Sequence, residues 1–589
     1  LLALTGMIPR EVPGLDAELH RARRALQGNQ VLVGEVVPIV PPVTAFDAML
    51  PKLVRYQQAY LGIARSLAIA ARAEGFELPR EATALAVAHV REFVERVPPG
   101  SGVSWDPYPV ATRLINLLIA RELLVPAAGP ADREFLNGAL LRALGQHARW
   151  LMATLEVHLL GNHLFTDGAA LFLAGCALEA PGSTAWRALG YGIVARSLAT
   201  DVLSDGGHAE RSPMYAALYV DQLELVLAAA RAMGIPPPAG AVASAGAMSR
   251  FLLETAHPDG QIPLLGDSAF DEAPLPADLA GPTGLTAQSL RRCLYGTVAS
   301  AAAGARAHLP RVPGEFPETG ITAIRAGDSV LVFDSGPLGS GDQPGHAHSD
   351  ALSFELSHAG KRLVTDGGAG HYEADEARAY FRGPFAHSSI SVNGQGSDEV
   401  WASWRAGRRA RVEPALHSTV DGVHVLRASV RTPWGWQQER VLVFAPGEVL
   451  CVVDRIRGAS ADAAVVSHLH LAPALHVVLD NEPTASVQGA DLSVRLVRLL
   501  GSSWTAHRGE TGPFRGYTSF KMGAFEPSTD VDLRALASED AWMAAYALLL
   551  SPEAIASSDP TGFRLQLAGR EILIPLDTGP LRWELVRRS

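Results

Sequence analysis

Two hydrophobic periods divide the chain. From about residue 44 to 303 the apolar positions recur at helical spacing. Ala216, Val220, Leu223 and Leu227 fall at i, i+4, i+7 and i+11, one stripe of a helix opened by Ser212-Pro213. Leu114, Leu117 and Leu118 repeat the spacing after Pro109, as do Leu151, Leu155 and Leu159. About nine or ten such segments are joined by short breaks such as Gly161-Asn162 and Asp205-Gly206-Gly207. Many helices with short connections predict antiparallel helical hairpins, wound as a solenoid or a closed toroid. No fixed-length repeat is legible, which favours the toroid. Around 308–320 the text changes to Leu309-Pro310-Arg311-Val312-Pro313-Gly314 and Pro317, a predicted linker. Beyond it the period is two. Leu352, Phe354 and Leu356 alternate with Ser353, Glu355 and Ser357, and strands are expected at 329–334, 422–431, 438–445, 449–455, 465–471 and 563–575. The sequence therefore predicts an α+β multidomain chain: a segment 1–43 without a clear pattern, a helical domain over 44–310, and an antiparallel β-sandwich region over 316–589.

Composition narrows the class. The 589 residues call for about two to four domains, and 48% hydrophobic with 19% charged residues is globular composition. No run is long and apolar enough to span a bilayer as a helix; the best stretch, 213–233, carries Asp221, Glu224 and Arg231. A net charge of −11 argues against a general nucleic-acid binder, although a local arginine cluster can still hold an anionic ligand in one cleft. Cys176, Cys293 and Cys451 lie too far apart in sequence for a disulfide framework or a CxxC site, and read as buried small hydrophobes. The chain opens Leu1-Leu2-Ala3-Leu4 with no initiator Met, so its natural start is expected upstream. A periplasmic or secreted location follows if a signal was removed, a cytoplasmic one otherwise.

Three stretches are rich in polar residues for their surroundings: Gly161-Asn162-His163, Asp205 to Tyr215, and Gly345-His346-Ala347-His348-Ser349-Asp350 with Asp366-Gly367-Gly368 and Ala386-His387-Ser388. His346 and His348 share a face if their segment is a strand and diverge if it is a loop. His346, His348, Asp366 and His387 offer enough imidazole and carboxylate for a zinc-type site, provided hairpins bring them together; the alternative is hydrogen-bonded histidines bracing a loop. Trp401, Trp404, Arg405, Arg408, Arg409 and Arg411 interleave indoles and guanidiniums, either to hold an anionic sugar chain or as a solvated strand face. His468 and His470 read as the polar face of a strand.

Residues 316–400 resemble the core of the heparinase II/III-like family of polysaccharide lyases. Phe316-Pro317-Glu318-Thr319-Gly320, His346 to Phe354, Asp366-Gly367-Gly368 and Arg382-Gly383-Pro384-Phe385-Ala386-His387 carry the match. Trp105-Asp106-Pro107-Tyr108-Pro109 with Arg113 and Asn116, then Gly161-Asn162-His163, then Glu210 to Tyr215 resemble further family blocks in the same order. The resemblance implies an incomplete (α/α) toroid followed by antiparallel β-sandwich domains.

It also implies β-elimination of a uronic-acid-containing anionic polysaccharide, a glycosaminoglycan such as heparan sulfate, hyaluronan or chondroitin, or alginate. A proton α to a carboxylate is weakly acidic until that carboxylate is neutralised or hydrogen-bonded. By similarity Asn162 and His346 take this task, Tyr215 is the acid or both acid and base, and His163 is the second base candidate. Trp105, Arg113, Glu210, Arg211 and Arg405 are the expected substrate contacts, with Arg211 one turn before Tyr215 and placed to lower its pKa. The matching metal ligands are His348, Asp366 and His387, for a structural divalent ion, usually zinc in the family; no organic cofactor is implied. Ala386-His387-Ser388-Ser389 stands where the family usually has His-Asn-Thr. Two rival readings stay open on sequence: a metal-dependent glycan hydrolase using the same histidines, and a non-catalytic polysaccharide-binding protein.

Overall fold

In a computed structural model the described residues are 6–39 except 11 and 13, 50–279, 294 and 314–587 except 482, 539 and 577–580. They form two compact units. The helical unit takes Leu1–Ala209, Tyr215–Leu253 and Glu272–Leu309; the β unit takes Glu210–Met214, Glu254–Asp271 and Pro310–Ser589. Cys293 and most of the expected linker lie outside the described residues, while Gly314–Phe316 is already a strand.

Ten helices of eight or more residues run between Lys52 and Thr255 among the described residues. Gly161–Ala177 packs along Ser183–Asp201, Gly62–Arg72 along Pro79–Arg96, and Pro107–Leu124 against both Gly62–Arg72 and Gly161–Ala177. Prolines open several of them at the position where a missing N–H costs nothing: Pro79, Pro107 and Pro130. Close approach depends on glycine at Gly190, where an added Cβ would meet the Phe172 amide nitrogen at 2.4 Å. This helical array is the toroid-type domain expected from periodicity. The segment before 44 has structure of its own: a helix Leu15–Leu26 and a small hairpin of Asn29–Leu32 with Glu35–Pro38.

The β unit is a sandwich. One nine-stranded sheet runs in the order Arg411–Val420, Val423–Arg431, Gln437–Ala445, Val449–Arg457, Trp542–Leu549, Ser493–Leu500, Thr484–Gln488, His476–Asn481, with Leu536–Ala537 also on Trp542–Leu549. The other runs Ser503–Arg508, Thr529–Arg534, Val465–Leu471, Lys361–Val364, Phe354–His358, Ser329–Asp334, Ile321–Ala326, Gly314–Phe316, with Ile390–Val392 on Val465–Leu471. Leu331, Phe354 and Leu356 from the second meet Leu426, Leu442, Val452 and Tyr546 from the first in one apolar core. The outer face of the first sheet buries Val443, Cys451 and Ala547 against Phe563, Leu565 and Ile572 of a four-stranded C-terminal sheet, a third layer. The expected strand at 563–575 is two strands of that sheet, Gly562–Leu567 and Arg570–Pro575.

One strand expectation needs correction and another gains a neighbour. Residues 346–353 are loop, and the strand starts at Phe354. His468 and His470 lie on strand Val465–Leu471, as expected, and their polar face is covered. Both are buried, His468 held by Asp532 and Ser391, His470 by Asp530 and Thr518, because the paired strand Thr529–Arg534 sets Asp532 and Asp530 directly opposite them.

Candidate active site

In the helical unit the site is built at the start of helix Gly161–Ala177. Leu160 enters it with φ 57, a left-handed backbone that a branched residue rarely adopts, and Gly161 follows at φ 53. This sharp entry leaves Asn162 and His163 in the first turn. His163 Nδ1 donates to Glu156 Oε2 at 2.9 Å, and its ring lies 4.5 Å from that of Tyr108. Tyr108 continues to Tyr60 at 5.9 Å and Tyr60 to Tyr56 at 6.5 Å, with the Tyr56 hydroxyl donating to Asp106. Burial raises the pKa of Tyr60 well above its ordinary value and that of Tyr56 likewise, so these two hydroxyls stay protonated. Tyr215, the third residue of helix Pro213–Ala232, is buried in the same unit.

Beneath His163, one turn on, Asp167 is fully buried and accepts from the Glu156 amide at 2.9 Å. Burial, reinforced by the nearby Glu156 charge, pushes it up to about 8. The folded chain therefore holds a proton that the unfolded chain releases near pH 4, and this contribution to stability falls as pH rises from about 4 to about 8. Asp167→Asn keeps an acceptor for Glu156 without the charge. Relative to wild type it is expected to gain stability as pH rises across this window, at up to about 1.4 kcal/mol per pH unit. Denaturant melts at pH 5 and pH 8 check this; a constant difference between the two proteins would refute it.

In the β unit His346 Nδ1 donates to the carboxylate of Glu210. The His346 carbonyl accepts from the Asp267 amide at 2.9 Å, and a Cβ at Gly266, whose φ is +57, would come within 2.9 Å of that carbonyl. Only glycine suits this contact. Trp404 meets the His346 ring edge-on at 5.5 Å and Tyr372 at 4.2 Å. Trp404 is 42% and Trp401 51% exposed, an indole surface beside the imidazole. Arg382, buried beneath, donates to the carbonyls of Trp401, Ala402 and Arg405 and fixes that loop. Arg405 itself is exposed. Arg408 pairs with Glu399 and Arg409 donates to the Ser340 and Gly341 carbonyls, so these two serve the loop.

His348 diverges from His346 into the interior. Its Nε2 donates to Asp267 Oδ1 at 2.8 Å, and Asp267 receives both arms of the buried Arg378. Arg378 lies under the rings of Tyr372 and Trp404 at 5.0 and 5.5 Å. A continuous chain thus links the exposed indole, Arg378, Asp267 and His348. His348, Asp366 and His387 are all buried and place one potential ligand atom each within 4.8 Å of one another. Burial holds His348 down to about 4, neutral at ordinary pH, so with Nε2–H committed to Asp267 its Nδ1 carries a lone pair; that buried atom has no hydrogen-bond partner. His387 Nδ1 donates to Asp366 Oδ2 at 2.7 Å, and although burial opposes it, the Asp366 charge pushes His387 up to about 9. An aimed lone pair beside a carboxylate and a second imidazole fits a divalent metal ion.

Four expected substrate contacts are reassigned. Arg113 is 0% exposed and donates to Ala59, Ser104 and His147, with Trp105, 4% exposed, stacked on His147; both brace the helices, since the apolar turns around them bury that face. Arg211, at φ 58, donates to the carbonyls of Glu318, Thr319 and Gly339 and pins the β unit. Glu210 is 3% exposed and orients His346. Sequence reading passed over Glu156, Asp167, Asp267 and Arg378. Tyr108 stood inside a motif already singled out, but nothing in spacing connects Asp267 with His348.

Two family models match this chain: the heparinase II/III N-terminus over residues 68–278 and the heparinase II/III-like C-terminal model over 309–539. A heparin-sulfate lyase of Pedobacter heparinus is 25% identical over 306 residues, which are 49% of this chain and 44% of that protein; the match thus spans less than half the relative's length. Among solved structures, heparinase III superposes with a TM-score of 0.72 at 16% identity, covering 99% of this chain and 93% of that one. Heparan sulfate lyase HepC of Pedobacter heparinus gives 0.59 at 18% identity, covering 97% and 89%. These likenesses support the fold of an incomplete toroid followed by β-sandwich layers.

Proposed function

Because the chain belongs to the heparinase II/III-like family, we propose that it is a polysaccharide lyase that cleaves a uronate-containing glycosaminoglycan by β-elimination. The observation that carries this reading is the His346–Glu210 pair: a buried carboxylate fixes one ring nitrogen, in a partly exposed imidazole set against an exposed indole. With Nδ1–H held by Glu210, the ring carries a second proton, on Nε2, when it donates to the substrate carboxylate. Asn162 supplies an amide to the same group, so that charge building on it as the α-proton leaves is stabilised. Tyr215 delivers a proton to the leaving glycosidic oxygen. His163, oriented through Nδ1 by Glu156 just as His346 is by Glu210, is the base candidate. Arg405, Trp401 and Trp404 hold the anionic chain by charge and stacking.

His348, Asp366 and His387 would hold a divalent ion, zinc by the chemistry of the donor set, which contributes a fixed charge and cross-links its loop. The carboxylate on His348 and the arginine behind it then keep His346, two residues away, in place. Prolonged chelation is expected to lower stability and erode activity, whereas brief chelation leaves turnover intact. The reading is tested by exposing heparan sulfate, hyaluronan, chondroitin and alginate to the protein and recording ultraviolet absorbance of unsaturated uronate, with and without chelator. Rising absorbance on a glycosaminoglycan supports it. New reducing ends without absorbance, lost at once to chelator, would replace it with metal-dependent hydrolysis.

A further inference from the structure

We propose that His417, His424 and Thr419, backed by Glu315, form a second, surface metal site for a divalent ion of the zinc class, separate from His348, Asp366 and His387. The sequence builds it through a tight hairpin. Asp421 and Gly422 turn with φ 48 and 74, the left-handed pair that suits a two-residue connection, and this sets Thr419 directly opposite His424. His417 lies two residues before Thr419 on the same strand, hence on the same face. Three donor atoms converge as a result. His417 Nε2 and His424 Nδ1 are 3.1 Å apart, and Thr419 Oγ1 is 3.2 Å from the first and 3.1 Å from the second.

That near-equilateral triangle has the donor spacing one ion demands, and the two rings, 13° from parallel with centroids 5.3 Å apart, would each tilt to turn their lone pairs onto it. Two nitrogens on a tetrahedral zinc, each at about 2.05 Å, stand roughly 3.3 Å apart, and an ion about 2.1 Å from all three atoms would sit roughly 1 Å above their plane. Hydrogen bonding alone can also hold the three groups. What points beyond it is the fourth residue. His417 Nδ1 donates to Glu315 Oε1 at 2.8 Å, which commits the proton to that nitrogen and turns Nε2, with its lone pair, toward His424 and Thr419. A carboxylate behind the far nitrogen of an imidazole is the arrangement that fixes the tautomer of metal-binding histidines and strengthens them as ligands. Thr419 is exposed and His424 partly so, leaving room for water to complete the coordination. Two imidazoles and a hydroxyl suit zinc, nickel or copper rather than magnesium or calcium.

The site has a structural use. Arg411–Val420 is the edge strand of one large sheet and Gly314–Phe316 the edge strand of the other. An ion on the hairpin would lock His417, and with it Glu315, so that the two edges are clipped together.

Equilibrium dialysis of the 589-residue chain against zinc, with metal counted per chain, tests this. Wild type is expected to bind one zinc more than His424→Ala or His417→Gln, with the remaining zinc unaffected. Glu315→Gln should keep the count and weaken the site by about 10–100-fold. Equal counts in wild type and a folded His424→Ala would overturn the proposal. Should that variant fail to fold, anomalous diffraction at the zinc edge from wild-type crystals grown in low zinc decides: a peak bonded to both His417 and His424 supports the site, and no peak there overturns it.

Discussion

Tyr215→Phe is expected to cut turnover by about 10²–10⁴-fold while substrate binding and folding stay near wild type. The substitution removes one hydroxyl from a buried ring and leaves its packing in helix Pro213–Ala232 intact. If Tyr215 protonates the leaving oxygen, its loss falls on kcat, because the missing contact is made only as the glycosidic bond breaks. Steady-state kinetics on the preferred glycosaminoglycan, with polysaccharide affinity measured separately, check it. An unchanged kcat would remove Tyr215 from the mechanism and leave His163 to be tested as both base and acid.

The second large effect is on stability. Arg378→Ala is expected to destabilise the β unit by about 3–5 kcal/mol, the usual result of stripping one partner from a buried ion pair. Asp267 is fully buried; burial disfavours its charge, yet Arg378 and His348 hold its carboxyl far below the ordinary range. Without Arg378 that carboxylate is left desolvated with only His348 to pair it, and the floor beneath Tyr372 and Trp404 goes with it. Arg378→Lys should rescue only part of the loss, since an ammonium cannot make the two-armed contact. Calorimetry of the three proteins measures this, and a melt of Arg378→Ala indistinguishable from wild type would contradict it.

The sequence makes some of this architecture plain and hides the rest for physical reasons. The change of period near 310 is visible because helices and strands bury one face at different spacings, and no side chain beyond its neighbours is needed to read it. His348, Asp366 and His387 were legible within a group of four with His346, since spacings of 18 and 21 residues are within reach of hairpins; the family resemblance, not the spacing, set His346 apart. Asp267 was not legible. It meets His348 across 81 positions, and its own segment has no pattern that sets it apart from a surface turn. Arg113 and Arg211 misled for the opposite reason. A guanidinium in a polar motif reads as an anion contact, yet both donate to backbone carbonyls. His468 and His470 read only as a polar face because alternation gives a face but not its neighbour, and the Asp532 and Asp530 that cover it come from a strand about 60 residues on.

The most direct measurement of the central claim is the chemistry of the new chain ends when glycosaminoglycan is cleaved in heavy-oxygen water. Elimination breaks the bond between the glycosidic oxygen and the uronate, so the account predicts an unsaturated uronate at one end and, in fragments reduced at once to stop exchange at the new hemiacetal, no heavy oxygen. Heavy oxygen at the new reducing end, with a saturated uronate beside the cut, would contradict the account and make the protein a hydrolase.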